Sequence, residues 1–195
     1  MAKVSGKSGL IRIGSAVNIG DANHSAGVVT VDTTAAHGLS ARSRVIIESV
    51  VGMTDLNDHF SVATIPDTDS FTVALATAQG YTSGGTVQQI IEITNYSFTV
   101  EAPVIDTTDS ESADSGYREK IPKGIKNFTG TIEGFLYTST LKPTMGSELE
   151  AVLQTNGVDD YSGTIIITSD ATTLDVPGEE AVKVSFNFEG TGELS

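Results

Sequence analysis

Three histidines, twenty-five acids and eleven bases are the side chains that could carry chemistry in this chain, and their spacing limits what each could do. His24, His37 and His59 share neither an H-x-x-H nor an HExxH spacing, so ordinary turn and surface histidines are expected in place of a metal site. Asp67-Thr68-Asp69-Ser70 begins like a calcium loop, but the third acid, the loop glycine and the closing glutamate are missing. Gly190-Thr191-Gly192 has neither the lysine nor the following helix that a phosphate loop requires. No G-x-S-x-G elbow marks a serine nucleophile. Two carboxylates could act as a glycosidase acid and base, but that chemistry leans on aromatic platforms and the chain has no tryptophan. The expectation is a protein without catalytic residues, metal or cofactor, and not an enzyme.

Charge is the stronger signal. The net charge is −14. Residues 1–20 carry only Lys3, Lys7 and Arg12, whereas the acids concentrate from residue 90 onward. Such a chain repels nucleic acid and is unsuited to gripping phosphates by counterion release. Within the acidic half, Asp106, Asp109, Glu111 and Asp114 lie in a stretch without large apolar groups, and a mobile loop is expected over 106–116 in the free protein. A basic cluster follows directly: Arg118, Lys120, Lys123 and Lys126. Its plain reading is a set of solvated charges ahead of a strand. Its sharper reading is an inter-subunit contact, with the basic cluster of one copy meeting the acidic loop of the next.

The absence of cysteine excludes a disulfide framework and fits maturation in a reducing cytoplasm. No apolar run approaches the ~20 residues of a membrane span, and the opening MAKVSGKSG is not expected to act as a secretory signal.

Strands must position whatever these residues do. In 125–137, Phe128, Ile132 and Leu136 alternate with polar residues, as Val182, Val184, Phe186 and Phe188 do in 181–194, so the two are expected to pair antiparallel. Further strands are expected at Leu10–Ile19, 90–101 and 163–168, with a bulge or break near Asn95. Residues 1–9 read as a flexible arm. In 147–155, Ser147 and Glu150 form a capping-box pattern and Leu149, Val152 and Leu153 share a helical face, which predicts a helix. Residues 21–89 have a different texture, with short strands expected near 28–33, 44–50, 59–65, 70–75 and 85–91. The fold class expected is all-β and mainly antiparallel. A β-sandwich-like or barrel-like domain, residues 1–20 and 89–195 with one short flanking helix, would hold an inserted small β-barrel-like domain, 21–88.

The order of motifs adds a resemblance. A V-E-A-P-V-I-D strand leads into D-T-T-D-S-E-S; Y-R-E-K-I-P-K-G-I-K-N, T-G-T-I-E-G and a final V-K-V-S-F-N-F-E-G-T-G-E-L follow. This resembles the tail tube (major tail) proteins of long-tailed bacteriophages over about 5–20 and 90–195. The resemblance implies a virion protein assembled in the host cytoplasm, with subunits in six-fold rings whose sheets join into an inner barrel. Stacked rings would conduct DNA without specific binding and would meet tape-measure, tail terminator and baseplate or tip proteins. Glu92, Glu101 and Glu133 are the candidates to line that lumen. The inserted block carries A-A-H-G-L, V-G-M-T-D-L-N, D-S-F-T-V and Y-T-S-G-G-T-V. It is similar to the E1 FCCH-like module of phage structural proteins, named for a half-domain of ubiquitin-activating enzymes. An alternative function is a virion surface protein that binds host carbohydrate through this module.

Overall fold

The computed structural model describes residues 2–6, 8–76, 79–101, 104–106, 120–122, 127–136, 143–155, 159–173 and 182–192. They form thirteen strands: β1 (Ala2–Gly6), β2 (Ser8–Ser25), β3 (Val28–Thr33), β4 (Arg44–Val51), β5 (His59–Asp67), β6 (Ser70–Ala74), β7 (Ser83–Glu101), β8 (Val104–Asp106), β9 (Lys120–Pro122), β10 (Asn127–Leu136), β11 (Glu148–Thr155), β12 (Asp159–Thr173) and β13 (Val182–Thr191). All pairings are antiparallel.

The pairings close two rings. A large barrel runs β2–β11–β12–β13–β10–β7 and returns to β2. A small barrel runs β2–β3–β6–β5–β4–β7 and also returns to β2. Each barrel has its own core. Ile11, Ile91, Tyr96, Phe98, Ile132, Phe186 and Phe188 are among the residues filling the large one. Val29, Val31, Ile47, Leu56, Phe71 and Val73 are among those filling the small one. Burying each large apolar side chain contributes roughly 1.5–3 kcal/mol.

β10 and β13 pair as expected, with Thr131 opposite Asn187. The expected break near Asn95 is a bulge: Glu133 faces Asn95 and Gly134 faces Ile93, which leaves Thr94 unopposed. The bulge switches the inward parity of β7, from Ile91 and Ile93 to Tyr96 and Phe98.

Two expectations are corrected. The predicted helix over 147–155 is strand β11, bonded to β12 and β2. Its buried residues are Leu149, Ala151 and Leu153, a period of two that the small Ala151 conceals. Ser147 does not start a helix; its hydroxyl accepts the Thr144 N–H at 3.2 Å in the turn before the strand. The only helical element among the described residues is a single 3₁₀ turn, Thr54–Leu56. The second correction concerns the arm: Ala2–Gly6 is a strand that pairs with β7 from Val100 to Tyr96.

Glycines set the packing between β10 and β13. A Cβ on Gly190 would collide with the Phe128 ring, and one on Gly130 would press on Phe188 and on the Ser97 carbonyl. The two phenylalanines meet edge to face at 6.3 Å, each lying over the other strand's glycine. Gly190→Ala is therefore expected to cost roughly 1–3 kcal/mol by overpacking. Urea unfolding measures this, and a variant as stable as wild type would contradict the packing.

Candidate functional site

The outer face of β7, β10 and β13 is one of two surfaces on which functional side chains gather. Ser97, Thr99, Thr129, Thr131, Asn187 and Glu189 line a shallow depression there, bordered by Thr168 of β12. Registration explains the gathering: Thr129 faces Thr99 on one side and Glu189 on the other, and Thr131 faces Ser97 and Asn187. Short polar bonds order this wall, among them Ser97 to Thr131 at 3.0 Å and Asn127 Nδ2 donating to Glu189 at 3.0 Å. Asn187 Nδ2 donates to Ser169 at 2.7 Å. Hydroxyls and carboxylates dominate; Lys183 lies beside it, 3.4 Å from Glu133, and Lys3 of β1 is the register partner of Thr99.

The lumen candidates separate on this geometry. Glu133 belongs to the polar wall, paired with Lys183, and Glu101 is exposed at the end of β7 opposite Asn127. Glu92 instead accepts from Nε of Arg44 at 2.8 Å and also pairs with its Nη2. Of the inter-subunit candidates, Asp106 and Lys120 are brought together as register partners in the short β8–β9 ribbon, and Asp106 is exposed. Asp109, Glu111, Asp114, Arg118 and Lys123 lie outside the described residues, as does most of the predicted 106–116 loop.

A second gathering of charge, which the sequence did not disclose, lies where the two barrels share β2 and β7. Arg12 donates through both Nη atoms to Glu48, at 2.8 Å each, and its Nε lies 3.4 Å from Glu150. The side chains of Arg12 and Glu48 are 17% and 42% exposed. The hydrogen bond from Arg12 holds the Glu48 carboxyl below its ordinary 4.5; burial opposes the shift, and the charges of Arg12 and His59 add to it. Arg12 is raised, first by its bond to Glu48, against burial and with help from the charges of Glu48 and Glu150. Partners 36 residues apart leave no local signal in a sequence.

The motifs of the small barrel have structural work. His37 is 7% exposed; its Nδ1 accepts the Leu39 N–H at 2.9 Å, which leaves the ring proton on Nε2, 3.3 Å from the Ser70 carbonyl. It also sits edge-on to Phe71 at 5.4 Å. His37 is thus a turn histidine, as expected, and one that is buried in its turn. Asn57 completes the edge of β4, accepting from Val50 N at 2.7 Å and donating to Val50 O at 3.0 Å. The single Tyr81 hydroxyl proton is shared between the carbonyls of Gly84, at 2.9 Å, and Ile19, at 3.2 Å. His24 Nε2 contacts the Leu75 carbonyl at 3.0 Å, and His59 is exposed on β5. Among the described residues no three His, Asp or Glu side chains are grouped to hold a metal.

Residues 24–91 match the family model of the ubiquitin-activating enzyme E1 FCCH domain. No curated protein matches the chain. Among solved structures, Phage phi92 endosialidase aligns at 10% identity over 98% of this chain, with a TM-score of 0.28, a value at which whole folds do not correspond. The chain spans about half of that protein, 52% of its length.

The Arg12–Glu48 pair makes stability depend on pH. Because the folded pKa of Glu48 is depressed, its contribution is complete above the ordinary 4.5 and is lost as pH falls through the lower folded value. Glu48→Gln is expected to cost under about 1 kcal/mol at neutral pH, since the pair is partly exposed. Denaturant unfolding across pH should show that gap closing below 4.5. A gap that persists into strong acid would contradict the assignment.

Proposed function

We propose that the chain is a structural subunit of a phage virion and, within that class, a tail tube protein. Its copies form six-fold rings that stack into a tube through which DNA passes. The observation that carries this reading is the outer wall of β7, β10 and β13. A surface that must let a polyanion slide needs hydration and mild repulsion, not phosphate contacts. Ser97, Thr99, Thr129, Thr131 and Asn187 supply the hydration, and Glu101 and Glu189 supply the repulsion, while Glu133 is offset by Lys183. The resemblance of 90–195 to tail tube proteins favours the tube, while the FCCH match at 24–91 supports the broader virion reading alone.

Closed barrels change how such rings could join. Most barrel strands already have two neighbours, so edge-to-edge joining has few places to start. Among the described residues, β12 from Ser169 to Thr173 pairs with β13 alone, because β11 ends opposite Ile166. An unpaired edge of this kind accepts an added strand. In this reading the neighbouring subunit supplies that strand, and the acidic segment after β8 bridges to the basic segment of the next copy. Tape-measure, tail terminator and tip proteins would meet the ends of the tube. The small barrel stands outside it.

Negative-stain electron microscopy of the concentrated protein tests the proposal. Hollow tubes or rings of uniform diameter are expected, and removal of residues 107–115 should abolish them while circular dichroism stays that of a folded β protein. Unchanged tubes in that deletion would overturn the bridging role. Uniform small particles at every concentration and salt level, with or without added tail-tip proteins, would overturn the tube reading.

A further inference from the structure

The outer face of the shared strands has a second consequence, independent of the tube reading. β2 and β7 run through both barrels, but β2 is interrupted between them. Ile13 faces Gln89 and Val17 faces Val87, so Gly14, Ser15 and Ala16 oppose Gln88 alone. These three residues are exposed, and Gly14 has φ 68°, a left-handed conformation that suits glycine. The inner face is interrupted at the same level. Gln89 is 3% exposed and falls, by strand parity, between Ile91 of the large core and Val87 of the small one. A polar side chain therefore separates the two apolar clusters where the backbone bulges.

Two ion pairs span this seam. Arg12, on the large-barrel part of β2, reaches Glu48 on β4 of the small barrel; Arg44 of β4 reaches Glu92 on the large-barrel part of β7. Gln88 lies between, with its Nε2 donating to the Gly14 carbonyl at 2.6 Å and its Oε1 3.5 Å from Arg12. Beneath, Ile46 and Ile90 are buried on the face opposite both cores. Opening the pairs would not strand Arg12, because Glu150 of the large barrel already lies 3.4 Å from its Nε.

We propose that these pairs are a latch: Arg12–Glu48 and Arg44–Glu92 hold the small barrel at a fixed angle to the large one, across a hinge at Gly14–Ala16, and loss of the carboxylate charges lets it swing. Among the described residues, the charged or titratable groups facing Glu48 are Arg12 and His59, and the group facing Glu92 is Arg44; the register neighbours of Glu92 are Leu10 and Phe135. Both pairs are partly exposed, so salt should act as loss of charge does.

The chain has no cysteine, which permits spin labels at Thr68→Cys in the small barrel and Met145→Cys in the large one, both exposed positions. Pulsed electron–electron distance measurement should give one narrow distribution for the otherwise wild-type full chain at low salt. In Glu48→Gln/Glu92→Gln a second distance should appear or the width should grow several-fold. Glu133→Gln, which breaks a pair inside the large barrel, should leave the distribution narrow. If the double variant does not fold, the wild-type protein in molar salt serves in its place. A distribution unchanged in the folded double variant, or unchanged in molar salt, would overturn the latch.

Discussion

The sharing of β2 and β7 between two barrels is the constraint on which the rest of the structure depends. Each strand must satisfy one ring at one end and a second ring at the other without losing the parity that points apolar residues inward. Ile11 and Ile13 face the large core, Ile19 faces the small one, and all keep the same parity across the bulge at Gly14–Ala16. A bulge with two extra residues bends the strand and preserves that alternation; one extra residue would have turned Ile19 outward. At Thr94 the opposite device operates, since a single extra residue reverses the parity of β7 where the wall turns. Closure of both rings then removes most open edges, the usual hazard of a large sheet.

Much of this was legible in the sequence because period-two alternation is a local signal. The strands at 28–33, 44–50, 70–75 and 125–137 are near where alternation places them, as is the β10–β13 pairing. What the sequence did not disclose has a physical reason in each case. Leu149, Val152 and Leu153 satisfy a helical stripe, but Leu149, Ala151 and Leu153 satisfy a strand, and the partners waiting in β2 and β12 decide between them. The arm at Ala2–Gly6 has little apolar character and is ordered by hydrogen bonds along β7. The ion pairs at the junction join residues 36 and 48 positions apart, so only the fold brings them together. Of the three glutamates expected in a lumen, Glu92 is committed to Arg44, whereas Glu133 sits on the polar wall.

Function follows from where polar groups are left after the cores are filled. The small barrel uses His37, Asn57 and Tyr81 to hold its own turns. The large barrel carries a hydroxylated, acidic wall on one side and, among the described residues, a stretch of β12 that pairs with β13 alone. Such a wall is hydrated and acidic, the property on which the proposed tube function draws. The acidic balance of the whole chain, −14, acts in the same sense.

Native-state hydrogen exchange, read residue by residue, tests the shared-strand account most directly. If β2 and β7 tie the two cores together, the amides of Ile11, Ile13 and Val87–Ile91 should be among the slowest in the molecule, and the inward strands of both barrels should exchange with one common free energy of opening. Two separate free energies, one for each barrel, with fast exchange at Val87–Ile91, would contradict it.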